Sequence, residues 1–391
     1  MIAFWLLPWF VPASIVEMSD PSAREVSIQA MVKLPTLGAK DLAKLHIIVR
    51  AIPMQTEDYP RREMLTVTGG QSIRCILTPD VLRISEVVQP DNVRAGLSVM
   101  ESLLRRATLT QENLDSAAAE ATEPDYWSAA LNPTVLPLVK VNQDEALGLY
   151  HRVIRPERLM LSVGGKLVPG EAQENWQKRM DAWNAVPEPK GYFDISTLSE
   201  RDRNSSGVTT VDYMGEQIPA GDAAFSTDML AMIALGSGKG ASLFRIVREK
   251  HAWSYRQESV LYPTMTGWEP HLLFASLPSD EMVQRAETIK TEVLEEINGW
   301  SDEDLARALG MSNAVLSRNV DFNPLYVLGS GTLNGSLEDR TFMFGYWQLK
   351  TGKPWSPEGL LDSMRHVTLD DLKQRATAIV QSMKVRILAG G

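Results

Sequence analysis

Leu235-Gly-Ser-Gly-Lys-Gly-Ala-Ser-Leu-Phe-Arg-Ile-Val-Arg248-Glu-Lys-His-Ala-Trp-Ser-Tyr255 is the stretch on which the reading of this chain turns. A glycine- and serine-rich loop leads into a short amphipathic helix whose apolar face is Leu243, Phe244 and Val247. Arg248, Glu249 and Lys250 close that helix, where cations suit the helix dipole. From Trp253 the pattern alternates, which predicts a strand with Trp253, Tyr255, Gln257, Ser259 and Leu261 on one face. Read this way, Arg248 is a helix-end cation and Tyr255 a sheet aromatic. Both are also candidates for chemistry.

Outward from this passage the chain repeats itself. An alternating run, Ile73–Val88, precedes a helical pattern from Asp91 that sets Val93, Leu97, Met100 and Leu104 on one face. A further helix starts at a Thr110 cap, with Leu114 inside it. The second half repeats this order: strand-like His271–Leu277, then a helix from Ser279 with Met282, Ala286, Ile289, Val293 and Ile297 on one face. A Ser301 cap follows, with Asp304 three residues on and Leu305 inside. Thr110 and Ser301 are 191 residues apart, as are Leu114 and Leu305. The helix-then-strand endings Asp144–Gly165 and Asp370–Gly391 match at a larger offset, which implies an insertion within Asn319–Lys353. The polar, proline-containing segment Asp181–Gly207 reads as a linker between domains at 1–180 and 208–391. The expected class is α+β: two homologous domains, each a mainly antiparallel sheet with helices packed on it.

Composition narrows the function. A net charge of −10 and isolated arginine pairs without interleaved aromatics argue against a nucleic-acid partner. The single cysteine, Cys75, excludes an intramolecular disulfide and sits in an apolar run, where it reads as a small buried side chain. The apolar start, residues 2–16, is either a first strand or an export signal. Two prolines interrupt it and no basic residue precedes it, so cytoplasm and periplasm both remain open. No other stretch suggests an integral membrane segment.

Several catalytic patterns fail. The five histidines, His46, His151, His251, His271 and His366, are too scattered to give two metal ligands on one helix. No Gly-x-Ser-x-Gly elbow is present, and Cys75 lacks a basic neighbour. Gly236–Gly240 resembles a phosphate loop only superficially, since Ile233 stands where its first glycine is needed and Gly240 replaces the metal-binding hydroxyl. Gly329–Gly335 has the wrong spacing for a dinucleotide loop.

The opening passage resembles the second-domain signature of the insulinase-like (M16) metallopeptidases, which carries a Gly/Ser loop, Arg-Leu-Phe, Arg-Glu-Lys and a tyrosine. Arg248-Glu249-Lys250 matches fully, Tyr255 is kept, and Ser242 replaces the arginine of the Arg-Leu-Phe element. Gly69-Gly70-Gln-Ser72, Leu149–Gly164 and Val367-Thr-Leu-Asp-Asp371 are similar to further family elements, so the resemblance runs over about residues 25–391. Active members carry a His-x-x-Glu-His helix some thirty residues before the Gly-Gly turn. Here that region, Leu37–Val49, has His46 alone and no glutamate, and Glu120 matches the family's distal glutamate by distance only.

The resemblance implies a chain without zinc or other cofactor of its own, inactive alone. It would be the Arg248/Tyr255-bearing half of a heterodimeric peptidase of the kind some bacterial members form. Its partner would be a zinc-bearing sister subunit, its substrate a peptide, and Arg248 and Tyr255 its catalytic residues. The alternative is a catalytically inactive scaffold or peptide-binding protein of the same fold.

Overall fold

The computed structural model describes residues 14–120, 134–183, 199–200, 203–204, 207–317, 325 and 335–390. Residues 2–13 of the apolar start, most of the 181–207 segment and the loop around Gly329 lie outside the described residues. The chain forms two compact units, residues 1–121, 137–196 and 341–349 in the first, and 122–136, 197–340 and 350–391 in the second.

The first unit is built on β1 (Ser14–Ser19), β2 (Val26–Lys33), β3 (Arg74–Leu77), β4 (Val81–Val88) and β5 (Leu159–Gly165). Their order is β1-β5-β2-β4-β3, with every pairing antiparallel except the parallel β1–β5 edge. The alternating run read as one strand is a hairpin of β3 and β4. Pro79 and Asp80 turn it, and the Thr78 hydroxyl accepts a bond from Val81 N at 2.9 Å, which fixes the corner.

Against one face pack α1 (Ala39–Ala51), α2 (Arg61–Val67), α3 (Val93–Arg105), α4 (Gln111–Ala119), α5 (Gln143–Val153) and α6 (Glu171–Asp181), with α3 directly over β2 and β4. The expected α3 face, Val93, Leu97, Met100 and Leu104, is buried. Gly96 lets this helix lie close, since a Cβ there would stand 2.8 Å from Ile28 Cδ1. The other face is covered within the same unit by Thr341–Leu349. Gly345 sits against Met31 and Ser162, and the Tyr346 hydroxyl donates to Asp80 at 2.7 Å. With both faces covered, β2 and β4 are buried almost end to end, unlike a half-exposed antiparallel strand.

The second unit holds β6 (Arg203–Asn204), β7 (Thr209–Met214), β8 (Ile218–Pro219), β9 (Arg256–Pro263), β10 (Gly267–Ser276) and β11 (Lys384–Gly390). β9-β10-β7-β11-β6 is one continuous order, antiparallel except for the parallel β11–β6 edge, and β8 adds to the start of β10. This is the order and sense of β3-β4-β2-β5-β1 in the first unit.

Its helices are α7 (Phe225–Gly236), the short α8 (Ser242–Phe244), α9 (Met282–Gly299), α10 (Asp302–Ser317), α11 (Leu337–Thr351), α12 (Pro357–Arg365) and α13 (Leu369–Ser382); of α11, Thr341–Leu349 counts with the first unit. All five residues of the expected α9 face are buried, each contributing about 1–3 kcal/mol through burial. Thr110 caps α4 by accepting from Asn113 N, and the Asp304 carboxylate accepts from Ser301 N at the start of α10. No helix among the described residues is long and apolar enough to cross a membrane.

Candidate functional site

The passage that opened the sequence reading lies in the second unit, between α7 and β9. Its helix is α-helical only over Ser242–Phe244. Arg245–Lys250 is a π-helical turn, in which His251 N reaches back five residues to Ile246 O at 3.1 Å. Widening the turn keeps Leu243, Ile246 and Val247 in the core and swings Arg248 out to solvent. Arg245 fixes the start of the turn, bonded to Glu296 at 2.8 Å through Nε and to Asp304 at 3.0 Å through Nη1. Lys250 and His251 fix its end, both on Glu292 of α9, at 3.0 and 2.8 Å. Burial raises the Glu292 carboxyl, but His251 and Lys250 overcome it and hold the carboxyl below its ordinary range.

The strand expected from Trp253 begins at Arg256, and Tyr255 stands just before it. The reason is the reversal that follows the π turn. Ala252 takes a left-handed φ of 53°, and Trp253 N bonds back to Val247 O at 2.9 Å. The buried Ser254 hydroxyl accepts from Arg256 N and donates to the carbonyl of Ala275, doing locally what ladder bonds would do. The cross-strand register therefore starts only at Arg256 opposite Ala275. Alternation in the sequence was real, but three residues of it, Trp253 to Tyr255, were consumed by the turn.

The turn brings Arg248 and Tyr255 together. The Arg248 guanidinium lies 4.7 Å from the centre of the Tyr255 ring and 5.3 Å from that of Phe244, within cation–π range. Tyr255 is 81% exposed. Neither side chain makes a hydrogen bond or ion pair among the described residues, so the Tyr255 hydroxyl and the guanidinium N–H groups face outward as free donors.

The zinc-helix region gives a different picture. It forms α1, where burial, helped by the charge of Arg50, lowers His46 to about 4 and keeps it neutral. The one carboxylate on α1, Asp41, is held by Arg152 at 2.5 Å. Glu120 is exposed at the end of α4. Among the described residues, no three His, Cys, Asp or Glu side chains gather as a metal site requires, and α1 offers no free anionic ligand beside His46. Cys75 is half-buried rather than fully buried, and desolvation pushes its thiol far above the range of a nucleophile.

A second cluster escaped the sequence reading. On the sheet face opposite α9, Asp212 of β7 accepts from His271 Nδ1 at 2.7 Å and from Arg386 at 2.6 Å, and Glu269 lies 3.2 Å from His271 Nε2. Burial alone would depress His271, but Asp212 and Glu269 outweigh it and raise its pKa to about 9. The available signal was a charge in the middle of each of three apolar strands, Asp212, His271 and Arg386. Strand pairing had to be known before they could be placed together.

Two sheets of one strand order, each with helices packed on a face, define the class: an α+β protein of two units built alike. Residues 140–311 match the family model described as the peptidase M16 inactive domain. Over 97% of its length the chain is similar to the structure of a peptidase M16 inactive domain from Pseudomonas fluorescens, with 13% identity, a TM-score of 0.72 and 95% of that chain covered. A protease from Helicobacter pylori gives 12% identity and a TM-score of 0.72, covering 97% of each chain. The periplasmic protease PqqL of Escherichia coli gives 12% identity and a TM-score of 0.67 over 96% of this chain, but 44% of its own. No curated protein matches the chain by sequence. The chain therefore has the fold of these M16-like structures, and its residues 140–311 match the domain described as inactive.

Proposed function

We propose that this chain is the non-zinc-binding subunit of a heterodimeric M16-type peptidase. It supplies half of the substrate chamber, and Arg248 and Tyr255 act on a peptide held at the zinc of a sister subunit. The observation that carries the reading is the pair itself: two solvent-facing side chains in mutual contact, with unused donors, on a loop braced at both ends by α9 and α10. Fixed donors of this kind stabilise negative charge developing on a carbonyl oxygen. The match to an inactive domain and the absence of a free anionic ligand on α1 support a chain that does not hydrolyse peptides alone. This chain spans less than half of the periplasmic protease it resembles, and a second chain would supply the remainder.

The test is zinc content and peptide hydrolysis of the purified chain, alone and mixed with a sister chain bearing His-x-x-Glu-His. Hydrolysis confined to the mixture, with one zinc per heterodimer, is the expected result. Stoichiometric zinc and cleavage by this chain alone would refute it. A silent mixture that still binds peptide would point to a scaffold of the same fold.

A further inference from the structure

We infer that Trp253 is the positioning residue of the Arg248–Tyr255 pair; the inference rests on the subunit reading and adds to it a residue that touches no substrate. Six residues separate Arg248 from Tyr255, and they leave the π turn through a backbone conformation that alanine adopts reluctantly. Such a segment keeps one shape only if its surroundings impose it.

Trp253 stands at the centre of those surroundings. One face of its indole is stacked on the His251 imidazole, with ring centroids 4.0 Å apart and planes 14° from parallel. The Arg285 guanidinium lies 5.0 Å from the ring centre. His251 is itself tied to Glu292, and Arg285 and Glu292 are two turns apart on α9, so they share one side of that helix. Further along the same side, Glu296 holds Arg245. One side of a single helix thus grips the π turn at Arg245, its end at Lys250 and His251, and the reversal at Trp253.

Arg285 supports the assignment from its own chemistry. Among the described residues its Nε is buried without a hydrogen-bond partner, and its ion pair to Glu281 is long at 3.4 Å. A half-buried guanidinium so weakly paired is compensated by the aromatic face in contact with it. Trp253 and Arg285 therefore hold each other, and the hold passes to the two residues that flank the loop. Leucine at 253 would keep most of the bulk and lose the flat face that the His251 ring and the Arg285 guanidinium both contact.

The experiment compares Trp253→Phe, Trp253→Leu and Arg285→Gln in the full chain. Hydrogen exchange of the amides from Ala252 to Arg256 rises about tenfold or more in Trp253→Leu and Arg285→Gln and stays near wild type in Trp253→Phe. Exchange in β10 is unchanged in all three, which separates local loosening from unfolding. In the mixture with the zinc-bearing sister chain, kcat falls roughly ten- to a hundredfold in Trp253→Leu, as for a misplaced catalytic group, with KM within twofold and recovery in Trp253→Phe. Unchanged exchange in both loosening variants overturns the inference, and so does raised exchange with an unchanged kcat. A wild-type mixture without hydrolysis defeats the subunit reading instead, and the exchange arm alone then decides whether Trp253 sets the loop.

Discussion

The two units reach their edge strands by the same topological step and make the turn with opposite materials. In the first, α2 runs into Gly69 and Gly70, at φ 64° and 88°, and β3 follows. Nothing lies within 4 Å of where their Cβ atoms would be, so the turn is open and made by residues for which left-handed backbone is inexpensive. In the second, the same step is made by a π turn and Ala252, at a cost of roughly 1–2 kcal/mol for a residue with a Cβ. Stacked rings and ion pairs to α9 then hold it. A plain connection needs none of this. The second turn holds Arg248 and Tyr255 in contact, whereas the first only reverses the chain.

The sharpest way to break that contrast is chemical. Tyr255→Phe removes one outward donor and leaves the ring over Arg248, so assembly and melting stay as they are. Turnover in the reconstituted mixture should fall ~10²–10³-fold, the usual loss for one donor aimed at developing charge. Steady-state kinetics reads this directly, and turnover within twofold of wild type would reduce Tyr255 to a structural aromatic.

The sheets repeat the lesson in their interiors. Gln29 of β2 and Arg83 of β4 occupy the places that Asp212 of β7 and His271 of β10 occupy in the second unit. In the first, Arg83 donates to the Gln29 amide oxygen at 2.9 Å and its guanidinium lies 4.2 Å from the centre of the Phe342 ring. In the second, Asp212 balances two cationic groups. Removing a member of a buried charge pair strands the rest, so Asp212→Ala should cost about 3–5 kcal/mol in urea unfolding. Gln29→Ala should cost about 1–3 kcal/mol. Equal losses would mean that the two clusters are energetically alike despite their charges.

The same pair differs in response to pH. The folded-state pKa of His271, about 9, lies above its ordinary value of 6.5. Its contribution is therefore complete below about pH 6.5 and is lost as pH rises through 9, a change of up to roughly 3 kcal/mol. Melting of wild type should drop between these limits, and His271→Gln should flatten the drop. Arg83 and Gln29 do not titrate there. The first unit carries its own pH-sensitive group in Glu86, fully buried, without a hydrogen-bond partner among the described residues, and raised well above the carboxylate range by desolvation. Its contribution is likewise present at low pH and lost as pH rises, so Glu86→Met should stabilise the chain at neutral pH by about 1–3 kcal/mol. A flat pH profile in wild type would show that neither group is coupled to folding.

Legibility followed range along the chain. The faces of α3 and α9, the Thr110 and Ser301 caps and the helix-to-strand endings are local patterns of period and capping chemistry, and they appear in the structure where the sequence placed them. Arg248 and Tyr255 were singled out from a linear motif, and the turn brings them into contact. What the sequence hid was what depends on pairing or on backbone shape. The hairpin lay within a run whose alternation resumes after Thr78-Pro79-Asp80, so the break was legible in the sequence and the pairing was not. The start of β9 was misplaced because a π turn has no compositional mark. The Asp212, His271 and Arg386 cluster joins residues 59 and 174 positions apart, and only strand register brings them together.

The smallest effect lies at Ala252 and tests the strain itself. Replacing it with glycine removes the Cβ conflict of left-handed backbone, worth ~1–2 kcal/mol, and adds chain entropy to the unfolded state that returns about 0.5–1 kcal/mol of the gain. Ala252→Gly should therefore stabilise the chain by no more than about 1.5 kcal/mol in urea unfolding. Turnover in the mixture should not change, because the clamp on Trp253 and not the residue at 252 sets the path of the loop. A glycine variant that lost activity at full stability would shift that role to Ala252, whose methyl group would then be what narrows the turn to one shape. A variant that lost stability would show that the surrounding stack, rather than the turn, carries the strain.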